Sequence, residues 1–397
     1  MKMTTRHLLF LLLPVLTLIG CEDDDDSRLQ PQVEEPTTFT FERGGESTVS
    51  FSGQTTRVGM SAELVAGMKD PAVSAATLRG RFANEGDAFA TAEYNASSKS
   101  IRSKVAASRD RYATNTVDQA AVRADFAGWL DAQVTEVHPN RDVLATAGTA
   151  GQIQDGSKAR YVNAGGLEYD QAVAKGLIGA LMLDQIVSNY LSPAVLDEAS
   201  NRADNDAGTT AEGKPYTTME HKWDEAYGYL FPNPANTATP LATLGSDDDF
   251  LNKYLGRVNA DPEYAGIAER VFAAYKRGRA AIVAGNYEVR DEQAQIIRGE
   301  LSRVIAIRSV YYLDQAITGL NAEPISYGGL FHDLSEAYGF IYSLQFTADP
   351  AAGGSAYFTR DEVTDLLSDI YDPADNGFWT VTTAELAAVR DRIAAKL

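Results

Sequence analysis

A ten-residue stretch, His221–Leu230, decides the interpretation of this chain, because it reads HKWDEAYGYL and returns at His332–Ile341 as HDLSEAYGFI. Both copies fit the pattern His-x-x-x-Glu-Ala-Tyr-Gly-aromatic-aliphatic, and they lie 111 positions apart. The whole chain has four histidines, and two of them occupy the matched places in these copies. The repetition therefore predicts that one structural unit occurs twice.

The spacing within each copy is that of a helix. At about 3.6 residues per turn, the histidine, glutamate and glycine share one stripe. The other stripe is apolar: Trp223, Tyr227 and Leu230 in the first copy, Leu334, Tyr338 and Ile341 in the second. Because a glycine within a helix costs about 1 kcal/mol relative to alanine, Gly228 and Gly339 indicate close approach by another backbone or a ligand. We predict that each copy is a buried helix that offers an imidazole and a carboxylate to the interior.

The similarity extends upstream of both copies. Leu183-Asp184-Gln185-Ile186 matches Leu313-Asp314-Gln315-Ala316, and each run lies in a long apolar segment. The first copy has about 19 extra residues in the loop before its histidine, where an insertion costs little. The sequence therefore predicts an all-α fold of two related helical bundles.

Other patterns set the expected domain boundaries. Alternating residues at 38–41 and 47–51 flank a Gly-Gly turn and predict a β-hairpin. We expect a leader at 1–20, an acidic tether and linker at 21–36, the hairpin at 37–53, and bundles at 54–256 and 257–397. Long helices are expected at 169–191, 262–284, 288–320 and 330–346, and a short strand at 159–162.

The first residues have the pattern of an export signal. Lys2 and Arg6 precede an apolar run that is too short to span a membrane. The run ends in Leu18-Ile19-Gly20-Cys21, which resembles the lipobox of bacterial lipoproteins and implies that Cys21 is lipidated. Cys21 is the sole cysteine, so no intrachain disulfide can form.

An acidic run, Glu22–Asp26, follows the lipobox and is typical of a solvated tether. It also resembles the export tag of lipoproteins displayed on the outer face of the outer membrane. We therefore expect an outer-membrane lipoprotein on the periplasmic or cell-surface side, with membrane lipid as its first partner.

The charge of the chain excludes one class of partner. Removing Lys2 and Arg6 from the 35 basic residues leaves 33 against 55 acidic ones, a net charge of −22. Phosphate backbones are bound by clustered lysine and arginine, so nucleic acid is not expected as a partner.

The duplicated helical body, the lipoprotein leader and the His/acid helix motif together resemble the imelysin-like proteins. That resemblance implies two related helical bundles, a His-x-x-Glu motif, and a link to iron uptake or to peptidase activity. The third position after histidine is Asp224 in the first copy and Ser335 in the second, so the acid is present once. The string HKWDEAYGY is more closely similar to that of uncharacterised lipoproteins of about this length, for which no activity is implied.

Two interpretations of the repeated helix remain open. In the first, His221, Glu225, His332 and Glu336 are buried hydrogen-bonding partners that lock the fold. In the second, the two imidazoles and two carboxylates hold a transition-metal ion such as zinc or iron between the repeats. Asp184, Asp314 and Asp224 are then candidates to orient the metal ligands.

Enzymatic activity is not expected, because the chain has no complete peptidase or hydrolase motif. A zinc peptidase of the zincin type needs His-Glu-x-x-His, which is absent here. We therefore predict a non-enzymatic binding protein related to metal or iron uptake. The alternative is a structural or nutrient- and glycan-binding surface lipoprotein that partners an outer-membrane transporter.

Overall fold

The computed structural model describes residues 32–397. The expected leader at 1–20, the lipidation site Cys21 and the acidic run Glu22–Asp26 lie outside the described residues. Fifteen α-helices occur in the described part, in chain order. They are α1 (Ser52–Met68), α2 (Ala75–Ala83), α3 (Ala92–Asn95), α4 (Arg109–Tyr112), α5 (Thr116–Ala132), α6 (Tyr169–Leu177), α7 (Pro193–Leu196), α8 (Asn201–Asp206), α9 (Thr218–Leu230), α10 (Leu251–Asn259), α11 (Ile267–Ala284), α12 (Tyr287–Leu320), α13 (Tyr327–Ser343), α14 (Arg360–Ser368) and α15 (Thr383–Ala394).

Short segments of tighter or wider helix extend several of these elements. The π-helical segments are Gln133–Val137, Ile178–Leu183 and Ile186–Tyr190, and the last two continue α6. The 3₁₀ segments are His138–Asn140, Pro240–Thr243, Leu344–Phe346, Pro350–Ala352, Pro373–Asp375 and Gly377–Trp379.

Two antiparallel hairpins accompany the helices. The first pairs β1 (Glu42–Arg43) with β2 (Glu46–Ser47), and the second pairs β3 (Gly151–Asp155) with β4 (Lys158–Val162). The first hairpin lies within the predicted range 37–53 but is much shorter, and the second includes the predicted strand at 159–162. The second hairpin packs on α13, where Gly328 allows the carbonyl of Gln154 to approach closely.

The helices surround one connected core of buried apolar side chains. The longest helix, α12, packs against α10, α11, α13 and α15, and α13 also packs against α6. Local sequence fixes where key helices begin: Thr217 and Glu220 form a capping box at the start of α9, as Thr382 and Glu385 do for α15. The spacing Thr382-x-x-Glu385 is itself the sequence pattern of a capping box.

The prediction of a mainly helical fold with a small N-terminal hairpin is confirmed. The two copies of the motif lie in α9 and α13, and the long helices expected at 262–284 and 288–320 are α11 and α12. The division into two related bundles stays a prediction. The expected boundary after residue 256 falls inside α10. Within residues 32–397, no helix is both long enough and apolar enough to cross a membrane.

Candidate functional site

The second copy of the motif forms a chain of polar contacts on α13. His332 Nδ1 lies 3.0 Å from Oε1 of Glu168, the residue that precedes α6. His332 Nε2 lies 3.7 Å from Oε1 of Glu336, one helical turn along α13. Ser335, which replaces the acid of the first copy, accepts a hydrogen bond of 2.9 Å from the backbone N–H of Glu168. The contacts that His332 and Ser335 make with Glu168 fix the start of α6 against the motif helix.

A buried lysine completes this chain. Lys175 Nζ lies 3.0 Å from Glu336 Oε1, and the side chains of both residues are less than 10% exposed. Tyr254 donates a hydrogen bond of 3.3 Å to the same carboxylate oxygen, and the ammonium of Lys175 lies 5.3 Å from the centre of the Tyr254 ring. Glu336 is therefore held by a cation, a phenol and an imidazole.

The pKa values follow from burial and from these contacts. Burial works against ionisation of Glu336, but the charge of Lys175 and the hydrogen bond from Tyr312 lower the pKa of Glu336 to about 2. Burial works against protonation of His332, but the hydrogen bond to Glu168 and the carboxylate charges outweigh it, so the pKa of His332 is raised. Burial raises the pKa of Glu168, and burial also raises that of Asp333 to about 6. At neutral pH the motif therefore places an ionised Glu336 beside Lys175.

His332, Asp333 and Glu336 line a cavity of about 580 Å³, which we call the His332 pocket. Cations outnumber acids in its lining: Lys69, Lys158, Arg160, Lys175, Lys253 and Arg257 against Asp249, Asp333 and Glu336. The chain as a whole carries a net charge of −20, so the pocket has the opposite charge balance to the rest of the protein. Lys69, Arg160, Lys175 and Lys253 each pair with a carboxylate, so the attraction for a negatively charged ligand comes mainly from Lys158 and Arg257.

Aromatic residues form another part of the lining. Tyr254, Tyr311 and Tyr312 all line the His332 pocket. The guanidinium of Arg308 lies 3.9 Å from the centre of the Tyr311 ring and 4.6 Å from that of Tyr312. Arg308 is 5% exposed, and its Nε and Nη2 are buried without a hydrogen-bond partner. The positive charge of Arg308 therefore lies against the rings of Tyr311 and Tyr312 and adds to the attraction for an anion.

The first copy of the motif has a different environment. The His221 ring stacks on Tyr216 at a centroid distance of 4.6 Å, and its Nδ1 is buried without a hydrogen-bond partner. Burial lowers the pKa of His221 despite the charge of Glu225. Glu225 accepts a hydrogen bond of 3.0 Å from Gln54 in α1. Among residues 32–397, no hydrogen bond, ion pair or ring contact joins the His221–Glu225 pair to the His332–Glu336 pair.

Asp224, in the first copy, belongs to a buried ion-pair network that holds the first hairpin. Arg279 Nε lies 3.1 Å from Asp224 Oδ1, and Arg279 Nη1 lies 3.0 Å from Glu220 Oε1. Arg43 of β1 pairs with the same glutamate at 2.9 Å. Burial raises the pKa of Asp224 to about 7 against the charge of Arg279. The acid of the first copy therefore connects α9 to α11 and the hairpin.

The two upstream aspartates also differ in environment. Asp184 is fully buried and accepts hydrogen bonds from the N–H groups of Ala107 and Ser108 and from the Ser108 hydroxyl at 2.6 Å. Asp314 pairs with Arg390 at 3.0 Å, and its side chain is about half exposed. Neither aspartate contacts a motif histidine. The prediction that they orient ligands of one metal site has no support from these contacts.

Both motif glycines lie where the sequence predicted close approach. A Cβ on Gly339 would lie 2.5 Å from Cβ of Lys175, and also near the carbonyl oxygens of Gln171 and Ala172. A Cβ on Gly228 would lie 2.4 Å from Cβ of Phe51. Gly339 thus brings α13 against the backbone of α6 and sets the distance between Glu336 and Lys175.

The described residues do not bring together the four residues predicted to share a metal. Within 32–397, no group of three or more histidine, cysteine, aspartate or glutamate residues is arranged to hold a metal ion. The physical reason lies at the second copy, where the Lys175 ammonium takes the place beside Glu336 that a metal ion would need. The Lys175 ammonium lies 3.0 Å from Glu336 Oε1, so its positive charge would repel a metal ion bound to the same carboxylate.

Sequence reasoning missed the partners from outside the motif, which are Glu168, Lys175 and Tyr254. One of them carried a signal: Lys175 is the single basic residue in the apolar segment at 169–191. An isolated lysine in such a segment indicates a buried charge with a specific partner. Nothing local to Glu168 or Tyr254 indicated their roles.

Fold and site together define a mainly helical protein with one connected core and a pocket that is rich in cations and tyrosines. The chain belongs to the family described as Domain of unknown function (DUF4856), whose model matches residues 36–397. No curated protein and no solved structure matches the chain.

Proposed function

We propose that this chain is a membrane-anchored lipoprotein that binds a small organic anion, bearing carboxylate or phosphate groups, in the His332 pocket. The observation that carries the proposal is the excess of cations in the pocket of a strongly acidic protein. Lysine and arginine side chains attract such groups and form charge-assisted hydrogen bonds with them. The role is binding without chemistry, since Lys175 already neutralises Glu336 and removes it as a free base.

The pocket has two regions that suit such a ligand. Lys158 and Arg257 are exposed residues of the lining, where they can meet the anion at the entrance. The tyrosines, of which Tyr254 and Tyr312 are buried and Tyr311 is exposed, offer phenol groups and ring faces beside the guanidinium of Arg308. A ligand with both charge and polar or aromatic groups would therefore use the whole lining.

The expected link to metal uptake enters the proposal in a modified form. A bare cation is disfavoured by the lysines and arginines of the lining. A metal ion wrapped in an anionic chelator suits the same charges. Anchoring through lipidated Cys21, which rests on the leader, and delivery to an outer-membrane transporter complete the proposed role.

Titration calorimetry on the purified mature protein tests the proposal, with citrate, ferric citrate and inorganic phosphate as anionic probes. Glycerol and spermidine serve as neutral and cationic probes. We expect heat from at least one anionic probe, with affinity that falls as salt rises. Binding of spermidine alone, or of no probe, would contradict the proposal, and tighter binding of ferric citrate than of citrate would support the metal-complex form.

A pair of variants locates the binding. Lys158→Gln combined with Arg257→Gln removes two exposed charges of the pocket and should weaken anion binding roughly two- to thirtyfold, because exposed charges contribute about 0.2–1 kcal/mol each. Lys214→Gln is the matched control, since Lys214 is an exposed lysine outside the pocket lining. Equal loss in both would point to a general charge effect instead of this pocket.

A further inference from the structure

A second cavity, of about 590 Å³, lies between the start of α5, α12 and the loop before α14. It shares no lining residue with the His332 pocket. Three arginines line it, Arg111, Arg298 and Arg360, together with two acids, Asp110 and Asp118. The cavity therefore has its own surplus of positive charge.

Arg298 is the unusual member of this group. The residue is 6% exposed, and its Nε is buried without a hydrogen-bond partner. Burial lowers the pKa of Arg298, with Asp110 attracting the charge and Arg111 repelling it. Buried charges in proteins are normally paired, because an unpaired one loses its hydration without compensation. An anion in the cavity would supply the missing partner.

The other two arginines already have protein partners. Arg111 donates to the carbonyl oxygens of Gln345, Thr347 and Gly354. Arg360 Nη2 donates to Asp125 at 2.8 Å. Both therefore add positive potential to the cavity while their hydrogen-bonding groups are largely occupied.

The two acids of the lining are also engaged elsewhere. Asp110 accepts a hydrogen bond of 2.5 Å from the Ser192 hydroxyl, and Asp118 accepts one of 2.6 Å from the Asn115 side chain. These contacts hold both carboxylates without a partner bond to Arg298. The guanidinium is left available to a group that comes from outside the protein.

A glycine makes room for this guanidinium. Gly354 has a φ of +85°, and a Cβ built on it would lie 2.7 Å from Nη2 of Arg298. Any side chain at position 354 would therefore press on the arginine. Glycine at position 354 allows the loop 353–356 to adopt this positive φ and to lie against the guanidinium of Arg298.

We propose that this cavity, the Arg298 pocket, binds an oxyanion, either a carboxylate or a phosphate group, on the guanidinium of Arg298. The planar fork of N–H groups matches both oxyanions with two parallel hydrogen bonds. Arg111 and Arg360 strengthen the attraction through their charges. The site is independent of the anion proposed for the His332 pocket.

Thermal unfolding and titration calorimetry of the mature protein test the proposal, with inorganic phosphate and acetate as probes at constant ionic strength set by sodium chloride. We expect one or both probes to raise the unfolding temperature. Phosphate alone would identify a phosphate-bearing ligand, and acetate alone a carboxylate-bearing one. Absence of any effect on the wild-type protein would overturn the proposal.

Arg298→Met should remove this response and, without a probe, should unfold at a higher temperature than the wild type, because the buried unpaired charge is gone. Arg303→Met is the matched control: Arg303 lies on the same helix, its Nε also has no partner, and it pairs with Glu300 outside the cavity. The control should respond as the wild type does. A full response in Arg298→Met would overturn the proposal.

Two further variants keep the test decisive. Arg298→Lys retains a charge and an aliphatic stem but loses the fork, and should weaken probe binding about tenfold if Arg298→Met fails to fold. Lys158→Gln with Arg257→Gln weakens anion binding at the His332 pocket and leaves the lining of the Arg298 pocket unchanged. The proposal would be overturned if phosphate and acetate no longer raised the unfolding temperature of the Lys158→Gln, Arg257→Gln variant but still acted on Arg298→Lys at full strength.

Discussion

His332 Nδ1 lies 3.0 Å from Glu168 Oε1, although 164 positions separate the two residues in the chain. The contact joins the motif helix α13 to the residue before α6. It places the repeated histidine beside a glutamate from outside either copy, and not beside its counterpart His221. The second copy therefore lines the His332 pocket, while the first copy, in α9, packs against α1 and α11.

The pair should make stability depend on pH. The pKa of Glu168 is raised in the folded state from its ordinary value of 4.5, and that of His332 is raised from 6.5. When the pH is above these ordinary values, the folded protein therefore binds more protons than the unfolded protein. The stability contributed by protonated His332 is complete below 6.5 and is lost as the pH rises through its raised pKa. Urea unfolding of the wild type and of Glu168→Gln with His332→Gln should give a stability difference that declines as pH rises. A difference independent of pH above 6.5 would contradict this.

Removing the carboxylate of Glu336 should destabilise the fold strongly. Glu336→Gln leaves the Lys175 ammonium buried without its counter-charge, which costs about 3–5 kcal/mol. Lys175→Met combined with Glu336→Gln removes both charges and should recover much of that loss. Chemical denaturation of the single and double variants measures the coupling, and simple additivity of the two losses would show that the pair is not coupled.

Arg279 should be needed to hold the first hairpin. Its side chain is fully buried between Asp224 and Glu220, so Arg279→Met should cost about 3–5 kcal/mol of unfolding free energy. Trypsin should then cleave faster after Arg43, which pairs with the same Glu220. Arg277→Met, on the same helix and without an ion pair, should change stability by less than about 0.5 kcal/mol. Unchanged cleavage after Arg43 would show that the network does not hold the hairpin.

Two glycine substitutions should have opposite signs. Gly339→Ala places a Cβ 2.5 Å from Cβ of Lys175, and forcing the helices apart should cost about 1–3 kcal/mol. Gly128→Ala, in α5, meets no atom within 4 Å and should stabilise by up to about 1 kcal/mol through helix propensity. Urea unfolding measures both. Stabilisation by Gly339→Ala would mean that α13 and α6 can separate freely.

Cys21→Ala should release the protein from the membrane fraction when it is produced in a Gram-negative host. The expectation rests on the lipobox, since the residue lies outside the described part of the chain. The acyl chains on Cys21 are the proposed anchor, so a variant that cannot be acylated there should lose its stable attachment to the membrane. Fractionation followed by immunoblotting measures the distribution. Retention of Cys21→Ala in the membrane would contradict lipid anchoring through this residue.

The sequence by itself determined the helical fold class, the presence of both motif helices and the capped start of the last helix. These features depend on local periodicity and on capping residues such as Thr382, which act within a few positions along the chain. Gly339 was also interpreted correctly as a point of close approach by another backbone, because a helix keeps a glycine in its interior only at a cost, whereas the close neighbour of Gly228 is the Phe51 side chain.

Only the tertiary structure decided which side chains meet around the two copies. The same pattern gave His332 a glutamate and Glu336 a lysine, both from the segment of α6, and gave His221 a tyrosine ring and an unpartnered Nδ1. The pattern within a helix fixes which residues share a face, but the partners of His332 and Glu336 across that face come from a segment more than a hundred positions away. Packing of the whole core selects that segment, and short-range spacing contains no information about it.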